Sequence, residues 1–287
     1  MQWVNTITQG ILLGGLYALF GTGLSLIFGV MRLVNLAHGD FIVLAAYLSL
    51  MAMAFGLHPL LTLLFVIPIL FLLGVLLQRG ILNKVLGEGL MPPLVITFGL
   101  SILVQNGLQL TFSADSQDLD AGALETASMR FSEVTIGTFP LITFITAVVI
   151  LVALQLFFNR TKLGQAFRAT SDDPGAAELM GINSRQIYGW AMGLSLAIVA
   201  VAGVLLGIRT NFTPTIGPAR LIFAFETVII GGLGSIWGTL AGGIILGLAQ
   251  NIGAALDPTW FQLAGHIVTL LVLAIKPSGL FARTRDT

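Results

Sequence analysis

Four polar side chains sit where an apolar sequence has little room for them. Asn35, His38 and Asp40 fall within NLAHGDF at the start of one apolar run, and Glu226 interrupts another, FAFETVIIGGLGS. A carboxylate near the centre of a bilayer costs roughly 2.5–3.5 kcal/mol on insertion scales, so such a group normally faces a water-filled cavity or a polar partner. His38, Asp40 and Glu226 together have the chemistry of an ion or proton relay. Singly, each carboxylate can hold a polar cargo in passage. On a regular helix Asn35 and His38 share a face and Asp40 does not, and Gly39 between them permits an unwound turn that gathers all three. The plain alternative is hydration at a helix end. For Glu226, which precedes Gly231 and Gly232, the alternatives are lining a pathway and locking two helices together.

Other chemistries are excluded. The sequence has no cysteine, no HExxH, no His/Asp/Glu cluster of metal-ligand spacing and no GxxxxGK[ST] loop. Neither a metal nor a cofactor is expected, and nucleotide hydrolysis would have to come from another chain. No convincing nucleophile–base pair supports an intramembrane enzyme. Arg209, Asn211 and Arg220 bracket NFTPTIGPAR, where they attract a carboxylate, meet an outside partner, or snorkel from helix ends.

The elements that position these residues follow from composition. Of 287 residues, 56% are hydrophobic and 9% charged, against about 25% charged in a soluble domain. With a mean hydropathy of +0.97, the chain reads as an integral membrane protein whose solvent is the lipid bilayer. Alternating ten-residue patterns are absent, which argues against a β-barrel, and zero net charge argues against nucleic acid. The expected fold is all-α: a single polytopic transmembrane helical bundle over 1–287. Spans are expected at Ile7–Val30, Leu36–Leu57, Pro59–Leu77, Pro92–Phe112, Phe139–Phe158, Tyr188–Ile208, Thr239–Leu256 and Thr259–Ile275. The uncharged N-terminus makes the first a permanent span rather than a signal peptide. Leu221–Ile230 is too short to cross, so the total is eight or nine, some broken or re-entrant. Breaks in both halves are what transporters with inverted repeats show around their pathway, with half-helix N-termini offered to an anionic group. Glycines recurring every four residues, at Gly234, Gly238 and Gly242 and again at Gly243 and Gly247, point to close helix packing.

Basic residues orient the bundle. Arg79 and Lys84, then Arg160, Lys162, Arg168 and Arg185, then Lys276, Arg283 and Arg285 fall in three connections on one side, which is therefore cytoplasmic. The segment 113–138, with five acids and one arginine, is an external loop without helical order. The cytoplasmic connection 159–187 has such order. Leu163, Ala166, Phe167 and Thr170 mark one helical face. Asp173 reads as an N-cap followed by Pro174, and Gly181 as a C′ stop with Ile182 behind it. The helix between has barely two turns, marginal alone in water, so it must dock against its bundle or a partner.

GAAELMG, Gly175–Gly181, resembles the EAA-type coupling motif of importer ABC permeases, with Gly175 standing where that motif has Glu. Together with GLSLIFGVMRLVNLAHGDFIVLAAY and FETVIIGGLGSIWGTLAGG, it makes the chain similar over nearly its full length to LivH-type permeases of the branched-chain amino acid ABC importers. The resemblance implies a bacterial inner-membrane location and a homologous LivM-like permease partner. It also implies two cytoplasmic ATP-binding subunits and a periplasmic substrate-binding protein. It places Asp173, Pro174, Gly175, Ala176, Ala177 and Gly181 on the surface that couples to the ATPases, and makes hydrophobic amino acids the expected cargo. Urea, amides and aromatic or aliphatic carboxylates are the alternatives within the family. An ion-coupled secondary transporter using His38, Asp40 and Glu226 is the alternative outside it, and would leave the ordered cytoplasmic helix unexplained.

Overall fold

A computed structural model describes residues 2–87, 89, 91–131 and 134–281. In chain order these form α1 (Gln2–Met31), α2 (His38–Met53), α3 (Pro59–Gly80), α4 (Met91–Phe112) and α5 (Ala123–Thr126). A hairpin of β1 (Ser128–Phe131) and β2 (Val134–Gly137) follows, then α6 (Thr138–Arg160), α7 (Lys162–Asp172), α8 (Pro174–Leu179), α9 (Ser184–Arg209), α10 (Gly217–Gly231), α11 (Ile236–Leu256) and α12 (Trp260–Ile275). The fold is an all-α polytopic bundle. Among the described residues six helices (α1, α3, α4, α6, α9 and α11) are long and apolar enough to cross a membrane. Helices α2 and α12 are apolar but have 16 residues each, about 24 Å of helix against a hydrocarbon core of about 30 Å.

The centre of the bundle is α1 against α11. These helices run antiparallel with backbones in contact, because the facing positions are glycines. A Cβ added at Gly14 would lie 2.5 Å from the Ile244 Cα, and one added at Gly247 would lie 2.3 Å from the Gly10 carbonyl oxygen. The second glycine set works between α11 and α10: a Cβ at Gly242 would meet the Thr227 carbonyl at 2.1 Å, and one at Gly238 the Gly231 carbonyl at 2.3 Å. Gly238, Gly242, Gly243 and Gly247 therefore pack helices, as their four-residue spacing predicts, whereas Gly234 lies in the turn before α11 and meets Gly29 of α1. Tyr17 of α1 donates a hydrogen bond to Gln250 of α11 across the buried seam. Helices α1 and α9 are almost wholly enclosed, whereas α3, α4 and α6 keep most of their apolar surface outward, as a lipid-facing perimeter requires.

The two ends of the bundle differ. At one end the hairpin is pinned to the start of α1, where Asn5 Oδ1 accepts the Thr135 N–H at 3.2 Å and Gln9 Nε2 donates to the Thr135 carbonyl at 3.2 Å. The described residues of the acidic 113–138 segment carry a hairpin that the sequence expectation did not foresee and only a four-residue helix. The segment's order comes from pairing with distant chain: Gln117 and Phe212 exchange backbone hydrogen bonds of 2.9 and 2.8 Å, and the Leu119 N–H reaches the Gly207 carbonyl at 3.0 Å. Also at this end, Asp257 accepts from the Thr259 hydroxyl and backbone N–H, which hold its carboxyl below the usual range. At the other end α7 lies across the bundle, with Ser171 Oγ donating to the Gly29 carbonyl. The tail returns here too, the Leu280 and Phe281 N–H groups bonding the Ile230 and Gly231 carbonyls at 2.9 and 3.0 Å. Arg283 and Arg285 lie outside the described residues.

Candidate functional site

Two helices begin inside the bundle and meet there. After α1 the chain turns at Arg32, which has a φ of 52°, and residues 33–36 run back inward outside any helix. Asn35 Oδ1 caps this stretch by accepting the Ala37 N–H at 3.1 Å, and α2 starts at His38. The break therefore precedes His38, and Gly39 is itself helical. His38 Nε2 lies 2.8 Å from the Phe20 carbonyl oxygen in mid-α1. A carbonyl only accepts, so Nε2 carries the proton and the buried Nδ1, which has no partner, is the free acceptor. Helix α10 enters the same way from the hairpin end, after Pro214 and with Pro218 in its first turn. Gly39 and Gly217 are glycines because these two starts touch: a Cβ on Gly39 would sit 2.0 Å from the Gly217 carbonyl oxygen, and one on Gly217 2.0 Å from Asp40 Oδ1.

Asp40 thus rests against the N-terminus of α10, where the helix dipole favours a negative charge. Neither carboxylate oxygen has a hydrogen bond, and α4 brings Ser101 and Gln105 to its other side. The structure does not gather Asn35, His38 and Asp40 into one cluster. They face Met192, Phe20 and Gly217 respectively, and all three are sealed from solvent.

Glu226 is different. It pairs with His266 of α12 through Oε1 and Nδ1, while its Oε2 is buried without a partner. The His266 side chain is 44% exposed, on a helix whose outward neighbours Leu263, Ile267 and Leu270 are apolar. An ionisable pair therefore opens onto the membrane-facing surface along the α10–α12 seam. Arg220 lies on α10 one and a half turns from Glu226, its guanidinium 6.0 Å from the Phe223 ring centroid and its Nε without a partner. The sequence reading missed His266, though the logic that singles out Glu226 also applies to a lone histidine in an apolar helix. Gly231 and Gly232 lie in a closed turn against Gly238 and Gly279, with no open space beside them.

At the opposite end, α8 is shaped by its own caps. Asp173 Oδ1 accepts the Gly175 and Ala176 N–H groups at 2.9 and 3.0 Å. At the C-terminus Gly181, with φ 83°, bonds Glu178, and the Ile182 N–H bonds the Ala177 carbonyl at 3.0 Å, a Schellman stop. Both ends match the sequence expectation. The faces differ from it in part. In α7 the buried side is Gly164, Phe167 and Thr170, with Leu163 exposed. In α8 Ala177 is 3% exposed and turned toward the bundle, whereas Leu179 and Met180 are 90% and 84% exposed. These two large apolar side chains, unnoticed in the sequence, project from the end of the molecule beside Gly175 and Ala176.

The family model for the permease component of branched-chain amino acid transport systems matches residues 6–275. The chain belongs to this family. It is 30% identical to the high-affinity branched-chain amino acid transport system permease protein BraD of Pseudomonas aeruginosa, over 98% of this chain and 96% of that one. It is also 30% identical to LivH of Escherichia coli, a permease protein of the same description, over 99% and 96%. The fructose import permease protein FrcC of Rhizobium meliloti is 32% identical over 71% of this chain and 60% of its own. The member described here is a multi-pass permease, and it resides in the inner membrane.

Proposed function

We propose that this permease moves branched-chain or similar hydrophobic amino acids inward, driven by ATP hydrolysis on two cytoplasmic subunits and supplied by a periplasmic binding protein. Cargo is assigned from BraD and LivH, which match this chain end to end, whereas FrcC matches a shorter part. The observation that carries the mechanism is α8, a short helix capped at both ends by its own residues that projects two apolar side chains into water. In this reading the α7 end is cytoplasmic and 113–138 is external. Asp173, Pro174 and Gly181 hold the shape of α8, Ala177 seats it, and Gly175, Ala176, Leu179 and Met180 enter a groove on an ATPase subunit.

The pathway in this reading runs along the α10–α12 seam, closed on its far side by a homologous, LivM-like permease. Glu226 and His266 line it, and Gly231 and Gly232 form its inner turn. The start of α2, with Asn35, His38, Gly39 and Asp40, belongs to a gate. Asp40 is covered on one side by α4, a helix held mainly by α2, so displacing α4 would open Asp40 to the path.

Replacing Leu179 and Met180 together by Asp tests the coupling assignment. Membrane insertion should be unchanged, while co-purification of the ATPases and ATP-driven uptake should fall at least about tenfold, the loss of roughly 1.4 kcal/mol of interface energy. Full uptake in that variant removes α8 from the coupling surface. Uptake that survives an ATPase-dead partner but collapses with the proton gradient would replace the whole reading with an ion-coupled transporter.

A further inference from the structure

Apart from the seam and α8, the α7 end holds a cavity of about 300 Å³ between the last turns of α1 and α6, the helix α7 and the first turn of α11. That size lies at the lower limit of small-molecule sites. Its wall offers donors. Arg168 is the one ionisable side chain lining it, and its Nη1 donates to Asn159 Oδ1 at 3.2 Å, leaving other guanidinium N–H groups to spare. Ser25 is 3% exposed, lines the cavity, and has a hydroxyl with no hydrogen-bond partner.

The first turn of α11 completes the wall. Its cap, Ser235 Oγ, takes the Gly238 N–H at 3.1 Å, so the Ile236 and Trp237 N–H groups keep no intrahelical acceptor. No acidic residue lies in that first turn to offset the positive end of a 21-residue helix. A guanidinium and a helix N-terminus border the cavity, the unpartnered Ser25 hydroxyl lies buried in its wall, and no carboxylate is among the described lining residues. This is the donor set of an oxyanion site.

We propose that the cavity binds a phosphate group, and that its source is the headgroup of an anionic phospholipid. Two features favour lipid over a free anion. The cavity lies at the end of spanning helices, where headgroups sit. Its rim carries Phe158 and Trp237, the latter 47% exposed, the amphipathic ring type that sits at membrane interfaces. A phosphate held here would join Arg168 of α7 to Ser25 of α1 and to the start of α11, bracing α7 beside the Ser171–Gly29 hydrogen bond.

The test is native mass spectrometry of the full-length, delipidated chain, titrated with dioleoylphosphatidylglycerol, dioleoylphosphatidylcholine or inorganic phosphate. One saturable phosphatidylglycerol adduct is expected, tighter than phosphatidylcholine and undisturbed by millimolar phosphate. Arg168→Gln should weaken it about tenfold, since charge-assisted hydrogen bonds are roughly twice as strong as neutral ones. Ser25→Leu should abolish it by filling the cavity. Should Ser25→Leu fail to fold, the half-buried Arg168→Gln, checked by its melting curve, carries the test. Displacement by phosphate at equal affinity overturns the lipid as the source. Equal retention of both lipids by wild type and variants overturns the site.

Discussion

The starts of α2 and α10 are built alike but surround their carboxylates differently. Each follows a non-helical stretch, each begins inside the bundle, and each carries a carboxylate within its first three turns. The carboxylate of α2, Asp40, is sealed between Gly217 and α4 with no hydrogen bond. The carboxylate of α10, Glu226, leans on a histidine that is partly open to the surface. Burial of a charged group without partners costs several kcal/mol and adds nothing to transport while it stays sealed. A pair at an intramembrane surface can meet a passing zwitterion without rearrangement. In the proposed pathway the difference separates a group that a gate must uncover from one already on the path.

Three substitutions break or sharpen this contrast. The largest effect is expected at the point of contact. Gly39→Val would drive a side chain into the Gly217 carbonyl, 2.0 Å from the first added carbon. Overpacking typically costs 1–3 kcal/mol or more, and against rigid backbone the upper range applies. The variant should accumulate poorly and lose uptake altogether; normal yield and melting temperature would show that the two helix starts do not touch.

Next is Glu226→Gln, which keeps shape and removes charge. Uptake should fall at least about tenfold, equivalent to about 1.4 kcal/mol in the rate-limiting barrier, with ATPase association intact. Uptake unchanged in radiolabelled-leucine assays would reduce the seam to a packing contact. The smallest effect is Asp40→Asn. Neutralising an unpartnered buried carboxylate should raise the thermal midpoint by a few degrees, the shift that about 1 kcal/mol gives in a chain of this size, while uptake changes about threefold or less. A loss as deep as that of Glu226→Gln would place both carboxylates on one path and dissolve the distinction.

Sequence reading located most spans to within a few residues because each is a long apolar run ended by charge or proline. It placed both α8 caps because Asp173-Pro174 and Gly181 are local signals. It put the α2 break at Gly39 instead of before His38, since glycine serves a helix break and a backbone contact equally well, and only the position of Gly217 tells them apart. The Glu226–His266 pair spans forty positions and was invisible to any local pattern. The hairpin in 128–137 was missed because its strands have four residues each and owe their place to Asn5 and Gln9. That Ala177 is buried and Leu179 exposed was not legible in a motif that names small residues, because the docking of α8 on α9 decides which of its sides is free.

The double capping of α8 has a thermodynamic consequence. The N–H groups of Gly175, Ala176, Ala177, Met180, Gly181 and Ile182 all find acceptors within residues 173–182, so in the proposed coupling role the helix keeps its shape when a partner lets go. Ordering a backbone residue costs roughly 1–2 kcal/mol, and a segment that folded only on contact would meet that cost again in every turnover. In that role, a helix kept rigid between strokes can engage and release with little entropic loss, leaving more of each hydrolysed nucleotide's free energy for moving the bundle.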